Sequence, residues 1–132
     1  LAVIRAAYQQ LRAQTDAVVV EGIGGWRVPI SASSTTADLV RELELPVVLV
    51  VGLRLGCINH ALLSAEVMAA DGIPLAGWVA NSLSADYAEG TETINYLSEQ
   101  IAAPLIGTIP FLEEFLPDQV AARLAVDLLA VG

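Results

Sequence analysis

Glu21 stands in the run Ala17-Val-Val-Val-Glu-Gly-Ile-Gly-Gly-Trp26, where apolar residues end on a carboxylate and glycines follow. Such a run reads as a buried strand that delivers one acid to its carboxyl end. Gly22, Gly24 and Gly25 then leave a loop poor in side chains. In open parallel sheets ligands bind at that edge. An acid there is either a surface group after a core strand or a ligand for a hard cation. Mg²⁺ in particular takes one or two carboxylates and completes its shell with phosphates and water. The glycines are also compatible with a plain turn.

Leu55-Gly-Cys-Ile-Asn-His60 reads as a strand-to-helix connection with Gly56 at its bend. The free N–H groups of a helix start favour an anion. Asn59 falls in the first turn, either as a simple cap or as an amide beside that anion. Cys57 reads as a structural cysteine, and His60 as a structural or capping residue rather than a metal ligand. Asn81 ends a later apolar run. Its amide offers a donor and an acceptor together, which suits the edge of a nucleobase such as adenine and equally suits a turn. Trp78, inside the same run, reads as core.

The elements that must carry these residues alternate. Residues 1–13 have helical spacing. Residues 17–20 read as a short buried strand, 27–34 as a loop, and Thr35-Thr-Ala-Asp38 as a capping pattern opening a helix to Leu43. Strands follow at 46–51, 74–80 and 105–109, with helices at 58–70, from an Asp86 cap onward, and a last one opened by Pro117 and Asp118 with Val120, Ala121, Leu124, Leu128 and Leu129 inward. Helix, then strand and helix alternating, is the signature of a doubly wound, mostly parallel α/β sheet with flanking helices. The 132 residues read as one domain. That topology places the loops 21–26, 52–56, 81–83 and 110–112 on one edge.

Hydrophobic residues make up 55% of the chain and aromatics 5%, which suits the aliphatic strands of a parallel sheet. A net charge of −9 argues against nucleic-acid or anionic-membrane partners, because no basic stripe is present to release counterions. A single cysteine fits a reducing compartment such as the cytoplasm. No run of about 18 apolar residues suggests a membrane span. The chain opens on Leu1 inside a helical pattern, which points to further residues upstream. All six basic residues are arginine, and no G-x-x-x-x-G-K-[ST] loop occurs.

Together, Val19-Val-Glu-Gly-Ile-Gly-Gly-Trp26, Leu45-Pro-Val-Val-Leu-Val-Val-Gly52, Leu55-Gly-Cys-Ile-Asn-His60, Leu75-Ala-Gly-Trp-Val-Ala-Asn81 and Ile106-Gly-Thr-Ile-Pro110 closely resemble the C-terminal part of dethiobiotin synthetase. The resemblance implies a homodimeric, P-loop NTPase-like α/β enzyme that closes the ureido ring of dethiobiotin from 7,8-diaminononanoate, CO₂ and ATP. It implies that Glu21 is a Mg²⁺ ligand, with Gly22 and Gly24 in the loop beside nucleotide and substrate. It further implies that Asn81 reads the adenine, that Ser82 binds the nucleotide, that Pro110, Phe111 and Leu112 surround the base, and that Leu55, Gly56, Cys57 and Asn59 meet the carboxylate tail of the diamine across a dimer interface. The family's Walker loop and catalytic lysines fall before Leu1, so no catalytic residue is assigned within this chain. On its own it is expected to be inactive, with core surface exposed. Two other expectations compete. One is a different P-loop enzyme, of the cobyrinate-amidase or partition-ATPase kind; the other is a truncated, non-catalytic module.

Overall fold

Val3, Ile4, Ala7 and Leu11 recur at helical spacing, and Ala2–Arg12 forms helix α1 in the computed structural model, which describes residues 1–129. None of its residues is buried. The loop expected at 27–34 contains the strands β1 (Pro29–Ser31) and β2 (Ser34–Thr35), paired antiparallel. Helix α2 follows at Thr36–Leu43. Its capping box is complete. The Asp38 carboxylate accepts the Thr35 backbone N–H at 2.8 Å and the Thr35 hydroxyl at 2.7 Å, and the Asp38 N–H donates back to Thr35 Oγ1. The Thr35 hydroxyl, and after it the Thr35 N–H, hold the Asp38 carboxyl below the usual carboxylate range.

Residues 17–20 are not a strand. Val19 is 94% exposed, and no strand among the described residues pairs with this segment. A run of valines expresses its β preference by packing on neighbours rather than through its own backbone. Without a ladder to join, the run stays outside any sheet.

The main sheet has three parallel strands: β3 (Val47–Leu53), β4 (Leu75–Ser82) and β5 (Leu105–Ile109), in the order β3-β4-β5. Helix α3 (Cys57–Ala70) and helix α4 (Gly90–Gln100) pack on it. Val51, Leu53, Cys57, Ala61, Trp78, Ala80, Leu97 and Ile101 form the core between them. Trp78 is fully buried, and its indole N–H has no acceptor among the described residues. Asp86 does not cap α4. Its N–H turns back to Ser84 Oγ, and the helix begins four residues later at Gly90, where the Tyr87 hydroxyl meets Thr93 Oγ1 at 3.1 Å. The long last helix expected from Pro117 is also absent. Helix α5 covers only Pro117–Ala121; Leu124 then bridges Gly107, and Val126–Leu128 is a 3₁₀ turn. The Ala125 N–H donates to the Ile106 carbonyl at 2.7 Å, so the open edge of β5 competes successfully with helix extension. Leu129 is the last described residue.

By contact density the chain divides into the units Leu1–Leu45 and Pro46–Gly132. No helix among the described residues is long and apolar enough to cross a membrane.

Candidate functional site

Parallel strands end on the same side, and the register fixes which residues meet there. Gly52 of β3 pairs with Asn81 of β4, and Asn81 pairs with Ile109 of β5. Asn81 therefore sits in the central strand at the carboxyl edge, the position at which open α/β sheets hold ligands. Gly52 makes room for a close approach: a Cβ on it would lie 2.7 Å from Leu83 Cδ1, and the Leu83 side chain would have to shift. The small residue on β3 lets the chain leaving β4 fold across the strand end.

A cavity of about 350 Å³ opens at this edge, lined by Asn81, Ser82, Pro110, Phe111 and Leu112. The four residues expected around a base, Asn81, Pro110, Phe111 and Leu112, and Ser82, expected to bind the nucleotide, therefore share one cavity. Its volume falls at the low end of small-molecule sites, which span roughly 300–1,000 Å³. Four further residues complete the lining: Leu83, Ile109, Phe115 and Val120. Ile109 could have been named from its place before Pro110. Phe115 lies before α5 and Val120 within it, beyond the end of β5, where no strand or helix period reports an approach to the cavity. The walls are mostly apolar. The side-chain amide of Asn81 makes no hydrogen bond within the described residues, so its donor and acceptor remain available.

Leu55, Gly56, Cys57 and Asn59 lie at the start of α3 in the same unit. Gly56 is the N-cap in left-handed backbone (φ 89°), and no side chain caps the helix. The early N–H groups of a helix lack intrahelical partners. One of them is nevertheless taken, since the Cys57 N–H donates to the Arg54 carbonyl at 3.0 Å. The Cys57 thiol is buried in the core, whereas Leu55 is 94% exposed and Asn59 is exposed. His60 is exposed and its N–H returns to Gly56 O, an ordinary helical bond.

Glu21, Gly22 and Gly24 belong to the first unit. Glu21 is exposed and, because 17–20 is not a strand, does not stand at a strand end. The loop after it is held on the first turn of α2. Thr36 Oγ1 donates to the Gly25 carbonyl at 2.8 Å, the Ala37 N–H donates to the Trp26 carbonyl, and the Trp26 side chain is buried. Gly24 takes a left-handed backbone (φ 83°) in this turn. Among the described residues no three His, Cys, Asp or Glu side chains gather to hold a metal. A single exposed carboxylate fits Mg²⁺ only when the ion brings phosphate and water ligands of its own.

The family model described as an AAA domain matches residues 1–119. The chain belongs to the AAA domain family. This is a P-loop NTPase-type domain, and the parallel sheet with flanking helices agrees with it. Curated relatives are named ATP-dependent dethiobiotin synthetase BioD. The one from Aromatoleum aromaticum is 54% identical over 92% of this chain and 54% of its own length. That from Janthinobacterium sp. is 51% identical over 94% of this chain and 52% of its own length. One from Pseudomonas aeruginosa is 50% identical over 96% of this chain and 56% of its own length. The resemblance to dethiobiotin synthetase is thereby borne out. This AAA domain chain spans about half the length of the curated relatives it matches.

Proposed function

We propose that this chain is the base-, metal- and tail-binding part of an ATP-dependent dethiobiotin synthetase of biotin synthesis. The observation that carries this is the cavity in which Asn81, Ser82, Pro110, Phe111 and Leu112 meet at the carboxyl edge of the sheet. Apolar walls with one uncommitted amide suit a flat heteroaromatic base, and the relatives are named as ATP-dependent.

The chemistry is a ring closure. One amine of 7,8-diaminononanoate takes up CO₂ as a carbamate, ATP phosphorylates it, and the second amine displaces phosphate to form the ureido ring. Asn81 would orient the base by accepting from its exocyclic amine and donating to a ring nitrogen. Glu21 would hold Mg²⁺ on nucleotide phosphates, with Gly22 and Gly24 allowing close approach; the ion would supply charge neutralisation. The α3 start, with Leu55, Gly56 and Asn59, would receive the carboxylate tail of the diamine, and Cys57 would support that turn from the core. Self-association into a homodimer through the exposed Leu55 belongs to the same proposal. The chain has no lysine and no G-x-x-x-x-G-K-[ST] loop, the parts that usually cradle the transferring phosphoryl group, so no ring closure is expected from it alone.

The test is to titrate the chain with ATP, with and without Mg²⁺, and to assay dethiobiotin after adding bicarbonate and the diamine. The expected outcome is ATP binding that Mg²⁺ strengthens, loss of that strengthening in Glu21→Gln, and no product. Weaker diamine binding in Asn59→Ala, at unchanged ATP affinity, would support the tail site. A chain that binds no ATP would contradict the proposal, and product from this chain alone would contradict its inactivity. Sedimentation of the chain as a monomer at all concentrations would remove the homodimer.

A further inference from the structure

We infer that Phe115 is the aromatic surface on which the base stacks when a nucleotide enters the Asn81 cavity. This rests on the nucleotide assignment above and goes beyond it, because it names the residue that provides the planar face. Phe115 lines the cavity yet is 72% exposed. A phenyl ring left this open contributes little to folding, and a flat ligand covering it would bury its face.

Phe115 directly precedes Leu116, the N-cap of α5. The Leu116 carbonyl accepts the N–H groups of Gln119 and Val120 at 3.1 and 3.2 Å, and Val120 lines the same cavity. Charge decides which end of the nucleotide lies here. Glu113 and Glu114 directly precede Phe115, Asp118 follows, and the stretch 110–120 holds no basic residue. A triphosphate would be repelled, whereas a neutral base would not. The occupant at this lip is therefore the base, with its polar edge on Asn81 and its face on Phe115.

The test uses the full chain and ATP, followed by proton NMR, with Phe115→Leu, Phe115→Tyr and Asn81→Ala. Phe115→Leu keeps apolar bulk and removes the ring. It is expected to weaken ATP binding roughly ten-fold, the scale of one base–aromatic stack, and to reduce the upfield ring-current shifts of adenine H2 and H8 to those that Phe111, the other ring of the lining, gives. Phe115→Tyr should retain both. Full affinity and full ring-current shifts in Phe115→Leu, with affinity lost in Asn81→Ala, would overturn the stacking role and leave the nucleotide site standing. A lower melting temperature in Phe115→Leu with the shifts retained would also overturn it, as the mark of a purely structural side chain. No ATP binding by the unaltered chain would overturn both assignments.

Discussion

At the scale of single residues, Asn81 carries most of the weight. It pairs with Gly52 on one side and Ile109 on the other, and its side-chain amide stays uncommitted at the cavity. Loss of a hydrogen-bonding partner of this kind costs about 1–3 kcal/mol. Asn81→Ala should therefore weaken ATP binding by about one order of magnitude or more, read by calorimetric titration, while Asn81→Asp should not restore it, because a carboxylate has lost the donor. An Asn81→Ala chain with unchanged ATP affinity would mean the amide faces no ligand. Asn81 was legible in the sequence because it terminates a continuous apolar run, and Pro110–Leu112 for the same reason. Phe115 and Val120 were not. They sit beyond the strand end, Phe115 before α5 and Val120 within it, and their approach to the cavity is a tertiary contact that no period in the sequence carries.

Elements were legible where a local signal fixes them. The Thr35–Asp38 box announces α2, and it forms as read. Its carboxylate supplies an element-scale prediction. The native Asp38 carboxyl lies below its ordinary range, chiefly through the Thr35 hydroxyl. Its contribution is thus complete above the unfolded-state value and is lost as pH falls through the native one. Amide-exchange protection in the first turn of α2, taken relative to the intrinsic rate at each pH, should fall on acidification below the usual carboxylate range, and Asp38→Asn should remove that dependence. Equal pH profiles for the two proteins would show that the box does not hold the helix. Elements failed to be legible where tertiary partners decide. Residues 17–20 have the composition of a strand and no ladder among the described residues. The last helix gives way to a bridge between Leu124 and Gly107 because β5 offers unpaired backbone groups beside it. Asp86 looks like a cap, yet the chain spends its N–H on Ser84 and starts α4 at Gly90.

At the scale of the whole molecule, the AAA domain match spans both units, and a net charge of −9 without lysine leaves any phosphate-binding field to arginine, backbone amides and a metal. The α/β class was legible from alternation alone, since apolar runs separated by helical spacing admit few other architectures. The central claim is that the carboxyl edge of the β3-β4-β5 sheet receives a nucleotide base. Backbone chemical-shift mapping of the chain during an ATP titration tests it most directly. The account predicts saturable shifts concentrated at Asn81, Ser82 and 110–115, reproduced by AMP and absent with inorganic pyrophosphate. Saturable ATP binding whose shifts leave this edge untouched, or shifts there that pyrophosphate reproduces, would contradict it.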